Sequence, residues 1–487
     1  VIRAEISKLA RHSAIYGVAD VLPYFINLLL LRVFTTYLST ADYGALAILS
    51  LFGVVTKIFF RMGLDAGFFR IYYELDTDDD RKTLATTLFA TALAVSASLF
   101  LLCAVHSEMI ASWLLGKEAP PIAATWIVLV AFDTLLNTFA FVPMNLFRIQ
   151  DKPRGFTVMT LFRSAINIGL KVLLLVLGFG VRGVLWADVV ASLLFVVALL
   201  PTLFRNVTLR YSVTLLRSAL GFGLPKVPHG LAHQVLNLSD RKLIEIFASL
   251  AAAGLYHIGY MLSTGVKFFL AAFELAWSPW VYAQIGKPDA ERTIGKVATY
   301  AGLAVVSFGL LNAVFGRELL FLMTTPEYHD AHEVIPVVVL AFVLQGVFAL
   351  TSIGIGISKK AFYYPVMTLT AATTNVVLNV LWIPRFGILG AAWATVAGYG
   401  VMAVMGIYFG QRHHPIAYEW DRLGRIAVAA ALTYALTLAA PEPVIEAVLV
   451  KLPALLAFPI SLYALGFFRK DELEALGALI RGPDPNG

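Results

Sequence analysis

Charge is what this sequence has least of. Lys, Arg, Asp and Glu make up 14% of its 487 residues, against about 25% in an ordinary soluble domain, while 59% are hydrophobic. Mean hydropathy is +0.79. A chain of this length with so little charge cannot hide its apolar surface from water, which excludes a soluble globular protein. The single cysteine, Cys103, can form neither an internal disulfide nor a cysteine metal cluster. A Walker-type phosphate loop is also missing, so ATP hydrolysis by this polypeptide is not expected. No soluble domain interrupts the chain, whose longest connection runs to about 20 residues.

What is present is apolar runs of membrane-spanning length. Fourteen can be counted, centred near Tyr24, Phe52, Ser96, Asp133, Ile166, Ser192, Asn237, Lys267, Ser307, Ala349, Asn375, Gly400, Thr433 and Phe458. The fold class expected is therefore an all-α polytopic membrane protein with 14 transmembrane helices. Arg3, Lys8 and Arg11 precede an apolar helix without a small-residue cleavage site, which reads as a retained first span rather than a signal peptide. Connections on one side hold 24 Lys and Arg and those on the other hold five, Lys117, Arg182, Arg317, Arg385 and Lys451. That bias predicts both termini in the cytoplasm. Asp78-Asp79-Asp80 reads as the solvated cap of the third span, since carboxylates favour helix N-termini.

Eight basic residues remain inside spans: Arg32, Lys57, Arg163, Lys171, Lys226, Arg241, Lys242 and Lys267. Leu224 to Ala248 concentrates them. There His229, His233, Asn237, Arg241 and Glu245 recur every fourth residue, an offset that turns a helix only about 40° short of a full revolution. A charge at mid-bilayer costs at least about 2.5–3.5 kcal/mol, so this stripe should face a bundle interior or a wet cavity. The i, i+4 histidines have metal-ligand spacing but lack further ligands, so no metal is expected. Arg241 could pair with Glu245 four residues on, and Asp240 could neutralise Lys242 across helices.

The chain repeats itself. Val158-Met-Thr-Leu161 returns as Val366-Met-Thr-Leu369, and Asn167 falls on Asn375. After the loss of one residue, Phe179-Gly180 matches Phe386-Gly387. At an offset of 210, Asn27 falls on Asn237, Arg32 on Lys242, Gly44 on Gly254 and Lys57 on Lys267. This predicts two pseudo-symmetric six-helix lobes, 1–212 and 213–412, in parallel orientation. Residues 413–487 would add two spans without internal charges and a cytoplasmic tail. A cavity would lie between the lobes, near the midplane.

The cationic excess suits a multiply anionic cargo, because Arg grips phosphate oxygens in a bidentate fork and Lys acts as a point charge. The candidate substrate-binding set is the eight basic residues with Asn27 and Asn237. A coupling proton or sodium ion would use a buried carboxylate, for which Asp20, Asp133, Asp188, Glu245 and Glu274 qualify. No cofactor, no metal and no nucleic-acid partner is expected, and nothing points to an enzyme.

Three passages then carry a family resemblance: Leu31-Arg-Val-Phe … Asp42-Tyr-Gly44 … Gly63-Leu-Asp; Gly223-Leu-Pro225 … Leu236-Asn-Leu-Ser-Asp-Arg241; and Asn375 … Leu378-Asn379 … Phe386-Gly-Ile-Leu-Gly390. The chain resembles the polysaccharide-transporter branch of the multidrug/oligosaccharidyl-lipid/polysaccharide (MOP, MATE-like) exporter superfamily, which includes the O-antigen flippases (Wzx-like). The resemblance implies a V-shaped pair of lobes that opens alternately to either side. It implies a cargo of undecaprenyl-pyrophosphate-linked oligosaccharide, flipped from the cytoplasmic to the outer leaflet of a bacterial inner membrane alongside polysaccharide polymerase and glycosyltransferase partners. A lipid II flippase and an ion-coupled MATE drug exporter are the alternatives within the superfamily. Relatives with a lipid II cargo place arginines on their first, second and eighth helices, where this chain has Arg32, Lys57 and Lys267.

Overall fold

A computed structural model describes residues 22–23, 25–116, 119–469 and 472. Among them the regular structure is helical, with no strand. The principal helices are α1 (Leu31–Tyr37), α2 (Thr40–Arg61), α3 (Leu64–Tyr72), α4 (Asp78–Val105), α5 (Ala123–Phe139) and α6 (Phe141–Ile149). There follow α7 (Pro153–Val176), α8 (Gly180–Arg205), α9 (Val213–Gly223), α10 (Val227–Phe247), α11 (Leu250–Ser263) and α12 (Gly265–Gln284). The last are α13 (Ala290–Met323), α14 (Val334–Thr351), α15 (Tyr363–His413), α16 (Trp420–Thr437), α17 (Val444–Ala454) and α18 (Ala457–Ala464). Among the described residues eight helical segments are long and apolar enough to cross a membrane, or ten if each of two bent pairs is one span.

Local chemistry sets the boundaries. Ser39 and Asp42 form a reciprocal capping box at the start of α2, and Met62 (φ 45°) and Gly63 (φ 72°) end it in the left-handed region. Thr77 caps α4, whose first turn holds Asp78, Asp79 and Asp80, as the sequence predicts. At 51 residues α15 would be about 77 Å long if straight, far beyond a bilayer. It is broken at Gly387 (φ 56°) behind Pro384. The repeat-related Gly180 has the same left-handed backbone, φ 53°.

The chain forms two compact units. The first comprises residues 1–259, 323–334 and 364–398, within the described range, and the second 260–322, 335–363 and 399–487. In the first unit, Leu64, Phe68, Leu84, Leu88, Phe141 and Leu203 form a buried core. In the second, α16 and α18 pack on α13 through Ile426, Phe458, Leu462, Leu310 and Val314.

The final spans differ from expectation. Lys451 does not lie in an outer connection but in α17, 7% exposed, bonded to Glu318 of α13 at 2.7 Å and to the Val314 carbonyl at 2.9 Å. Arg422, near the start of α16, is also buried and pairs with Glu419 and Glu472 at 3.0 and 2.9 Å. Buried ion pairs, not lipid contact alone, thus fix the last helices in their unit.

Candidate functional site: a basic cavity in the first unit

The C-terminal half of α2 ends in a turn that brings Lys57, Arg61 and, from α3, Asp65 to one wall of a cavity of about 470 Å³. Another wall is α7, where Phe156, Thr160, Arg163, Ser164 and Asn167 share one face at helical spacing. Asn137 of α5, Asn145 and Arg148 of α6, and Asp188 and Phe195 of α8 complete the lining. Four cations thus meet two carboxylates.

Most of these groups are held in place. Arg61 donates to Asp65 and to the Asn137 carbonyl, both at 3.1 Å, and Asn145 donates to the same carboxylate at 3.0 Å. Arg163 donates to the Ser192 hydroxyl at 2.9 Å, with Asp133 3.9 Å away; Ser192 in turn donates to Asp133. Asn167 donates to Asp188 at 2.7 Å, and Lys171 pairs with that carboxylate at 2.8 Å. Three guanidiniums also lie over phenyl rings of the cavity: Arg61 on Phe141, Arg148 on Phe156 and Arg163 on Phe195, at 5.8, 4.5 and 5.4 Å. Lys57 differs. Its side chain is exposed to the cavity and makes no hydrogen bond or ion pair among the described residues.

Of the residues singled out by sequence, the structure gathers Lys57, Arg163, Lys171, Asp133 and Asp188 here. The others lie elsewhere. Arg32 donates to the Thr324 carbonyl, Asn27 to that of Pro23, and Lys226 sits 4.1 Å over the Phe222 ring. Asn237 donates to the His233 carbonyl, and its own carbonyl accepts from Arg241. In the second unit Lys267 bonds the Tyr260 hydroxyl at 3.0 Å and lies 4.5 Å over Phe342, while Glu274 is exposed. Asp20 lies outside the described residues.

Both pairings anticipated for the charges of α10 are corrected. Arg241 pairs with Asp240 at 2.6 Å, not with Glu245, and both partners are only 1% exposed. Lys242 pairs with Glu245, not with Asp240. The cause is Tyr256 of α11, whose hydroxyl donates to Asp240 and lies 3.3 Å from Thr395. These bonds turn Asp240 into the core and Arg241 after it, leaving Lys242 and Glu245 to meet at i, i+3.

The repeat survives as geometry. Asn375 donates to Thr395 at 3.4 Å, the counterpart of Asn167 on Asp188. Thr395 thus stands where the first half has a carboxylate, and Asn379 stands where it has Lys171. Arg61, Asp65, Asn145 and Arg148 are not among the residues singled out by sequence: the two arginines stand at the ends of apolar runs, where a basic residue reads as part of a connection, and the i, i+4 spacing of Arg61 and Asp65 is the available signal.

Residues 33–273, which include the whole cavity, match the family described as "Polysaccharide biosynthesis protein". A probable low-salt glycan biosynthesis flippase of Haloferax volcanii is 25% identical over 222 residues, covering 44% of this chain and 46% of that protein. An uncharacterized membrane protein of Methanocaldococcus jannaschii is 26% identical over 209 residues, 41% of this chain and 40% of the relative. The match thus spans less than half the length of either curated relative. Among solved structures, the inward closed lipid II flippase MurJ superposes over 93% of this chain and 99% of its own, with TM-score 0.72 at 12% identity. An inward-facing MATE multidrug resistance transporter of the MOP superfamily covers 80% of this chain and 93% of its own, with TM-score 0.65 at 16% identity. The fold resembles that of the lipid II flippase and of the MATE transporter, and the resemblance to polysaccharide transporters is borne out. The activities named among these proteins are flipping and transport, not catalysis.

Proposed function

We propose, from a chain that matches the polysaccharide-biosynthesis family over residues 33–273 and has the MOP fold, that this protein is a flippase for a lipid-linked oligosaccharide. Its cargo would be an undecaprenyl-pyrophosphate glycan, carried by alternating access from the cytoplasmic to the outer leaflet of a bacterial inner membrane. The observation that carries this reading is Lys57, a cation with no hydrogen bond or ion pair among the described residues, facing a cavity that also holds Arg61, Arg148 and Arg163. A pyrophosphate supplies the missing anion, and low-dielectric walls strengthen the contact.

The topology proposed has fourteen spans in two six-helix lobes, 1–212 and 213–412, with both termini cytoplasmic. Dividing α15 at Gly387 and adding the first span, α10 and α16 to the ten apolar spans gives that number. Asp133 and Asp188, each hydrogen-bonded beside a cation, are the coupling candidates that touch the cavity charges. Glycosyltransferases and a polymerase would act before and after transport.

The test is Lys57→Ala in cells assayed for surface polysaccharide. A charge-assisted bond is worth about 1.5–3 kcal/mol, so export should fall about 10- to 100-fold at unchanged protein level. Full export by both Lys57→Ala and Arg163→Ala would overturn the reading. Accumulation of peptidoglycan precursors on depletion would point to a lipid II cargo instead.

A further inference from the structure

The α7 wall carries a second kind of chemistry beside its cation. Thr160 and Ser164 both line the cavity one helical turn apart, with Arg163 between them in sequence. Hydroxyls within the other helices commonly turn back on their own backbone: Thr56, Thr87, Thr134 and Thr368 each donate to the carbonyl four residues earlier. Thr160 and Ser164 make no such bond, nor any other among the described residues. Each hydroxyl therefore keeps one donor and two acceptor sites for whatever enters.

Their neighbours extend the pattern. One turn below Thr160, the Phe156 ring borders the cavity with Arg148 stacked on it. Beyond Ser164, Asn167 spends its N–H on Asp188 and keeps its side-chain oxygen. Over about 16 Å of helix the wall passes from phenyl through hydroxyls to an amide. Neither a pyrophosphate nor a polyprenyl tail needs neutral hydroxyls. A sugar does: its ring hydroxyls want partners that both donate and accept, and its C–H face packs on an aromatic ring.

We propose that Thr160 and Ser164 hydrogen-bond ring hydroxyls of a sugar attached to the anionic group, and so set which glycans the cavity accepts. The inference rests on the flippase reading above. A neutral hydrogen bond supports about a 2- to 12-fold preference, so two should give about tenfold or more.

The experiment uses the full chain in lipid nanodiscs and four probes: a short polyprenyl pyrophosphate, bare or bearing one glucose, galactose or N-acetylglucosamine. The wild type should bind at least one glycosylated probe more tightly than the bare one. In Thr160→Val/Ser164→Ala that affinity ratio should drop about tenfold, and Thr160→Ser in the Ser164→Ala background should restore part of it. If no sugar improves wild-type binding, or the double variant leaves the ratio unchanged while Lys57→Ala weakens every probe, the hydroxyl proposal fails and the flippase reading stands. If Lys57→Ala changes no probe's affinity, the flippase reading fails and this proposal with it.

Discussion

Gly44 and Gly254 meet with no side chain between them. A Cβ on Gly44 would fall 1.8 Å from the Leu250 carbonyl oxygen, and one on Gly254 would fall 1.9 Å from that of Thr40. Thr40 and Leu250, like the glycines, are 210 residues apart, so the contact is made twice, once by each repeat. Gly63 and Gly223 make a second reciprocal approach, each Cβ position 2.2 Å from the other's carbonyl oxygen. Gly63 follows the end of α2 and Gly44 lies near its start, so the helix is fixed at both ends by backbone contact.

Gly44→Ala and Gly254→Ala should therefore be poorly tolerated. Ordinary overpacking costs about 1–3 kcal/mol, and here the obstacle is backbone, which cannot rotate away. Each variant should lower the folded, monodisperse fraction after detergent extraction. A wild-type yield and melting temperature in both would show that these helices are not in contact.

Lys57 and Arg241, both cations of α2 and α10 spans, should respond oppositely to removal. Arg241→Ala strands the buried Asp240 carboxylate, and breaking a buried pair from one side costs about 3–5 kcal/mol. The expected result is less folded protein in the membrane. Lys57→Ala strands no partner among the described residues, so its melting temperature should match wild type while export falls about 10- to 100-fold. Comparing melting temperature with export for the two variants checks this, and a stable Arg241→Ala would refute the structural role.

How much of this was legible in the sequence depends on what each signal measures. Helical spans and the repeat follow from pattern alone, and Asn167/Asn375 and Gly180/Gly387 hold equivalent contacts or backbone angles in the structure. Partners were not legible. Arg241 takes Asp240 rather than Glu245 because Tyr256 from another helix orients the carboxylate, which no spacing within α10 can reveal. Lys451 reads as a connection charge because a positive charge at the edge of an apolar run marks a boundary, unless a buried acid such as Glu318 pairs with it. Arg61 and Arg148 stand at such edges too. The cavity itself requires knowing which helices pack together.

Glu318 and Lys451 provide a test of how the last helices are held. Glu318→Gln or Lys451→Met alone leaves one buried charge uncompensated and should cost about 3–5 kcal/mol. Glu318→Leu/Lys451→Met removes both charges together and should regain most of that loss. Thermal unfolding in detergent of the three variants reports it. A double variant no more stable than the worse single would show that the pair is not the contact that matters.

Tyr328 and Thr325 anchor the segment before α14 to the break between α1 and α2. The Tyr328 hydroxyl donates to the Leu38 carbonyl at 2.8 Å, Thr325 donates to that of Thr35 at 3.0 Å, and the Arg32 guanidinium reaches the Thr324 carbonyl. The Tyr328 ring also meets Tyr43 edge-on, 5.5 Å between centroids. Tyr328→Phe keeps this ring contact and removes one hydrogen bond, worth about 1 kcal/mol. If residues 324–333 exchange amide hydrogens by local opening, the variant should exchange about fivefold faster there and unchanged in α16. Adding Thr325→Val should multiply the effect, because both bonds break in the same opening. Unchanged exchange in the double variant would mean that this segment stays in place without them, leaving Arg32 and ring packing to hold it.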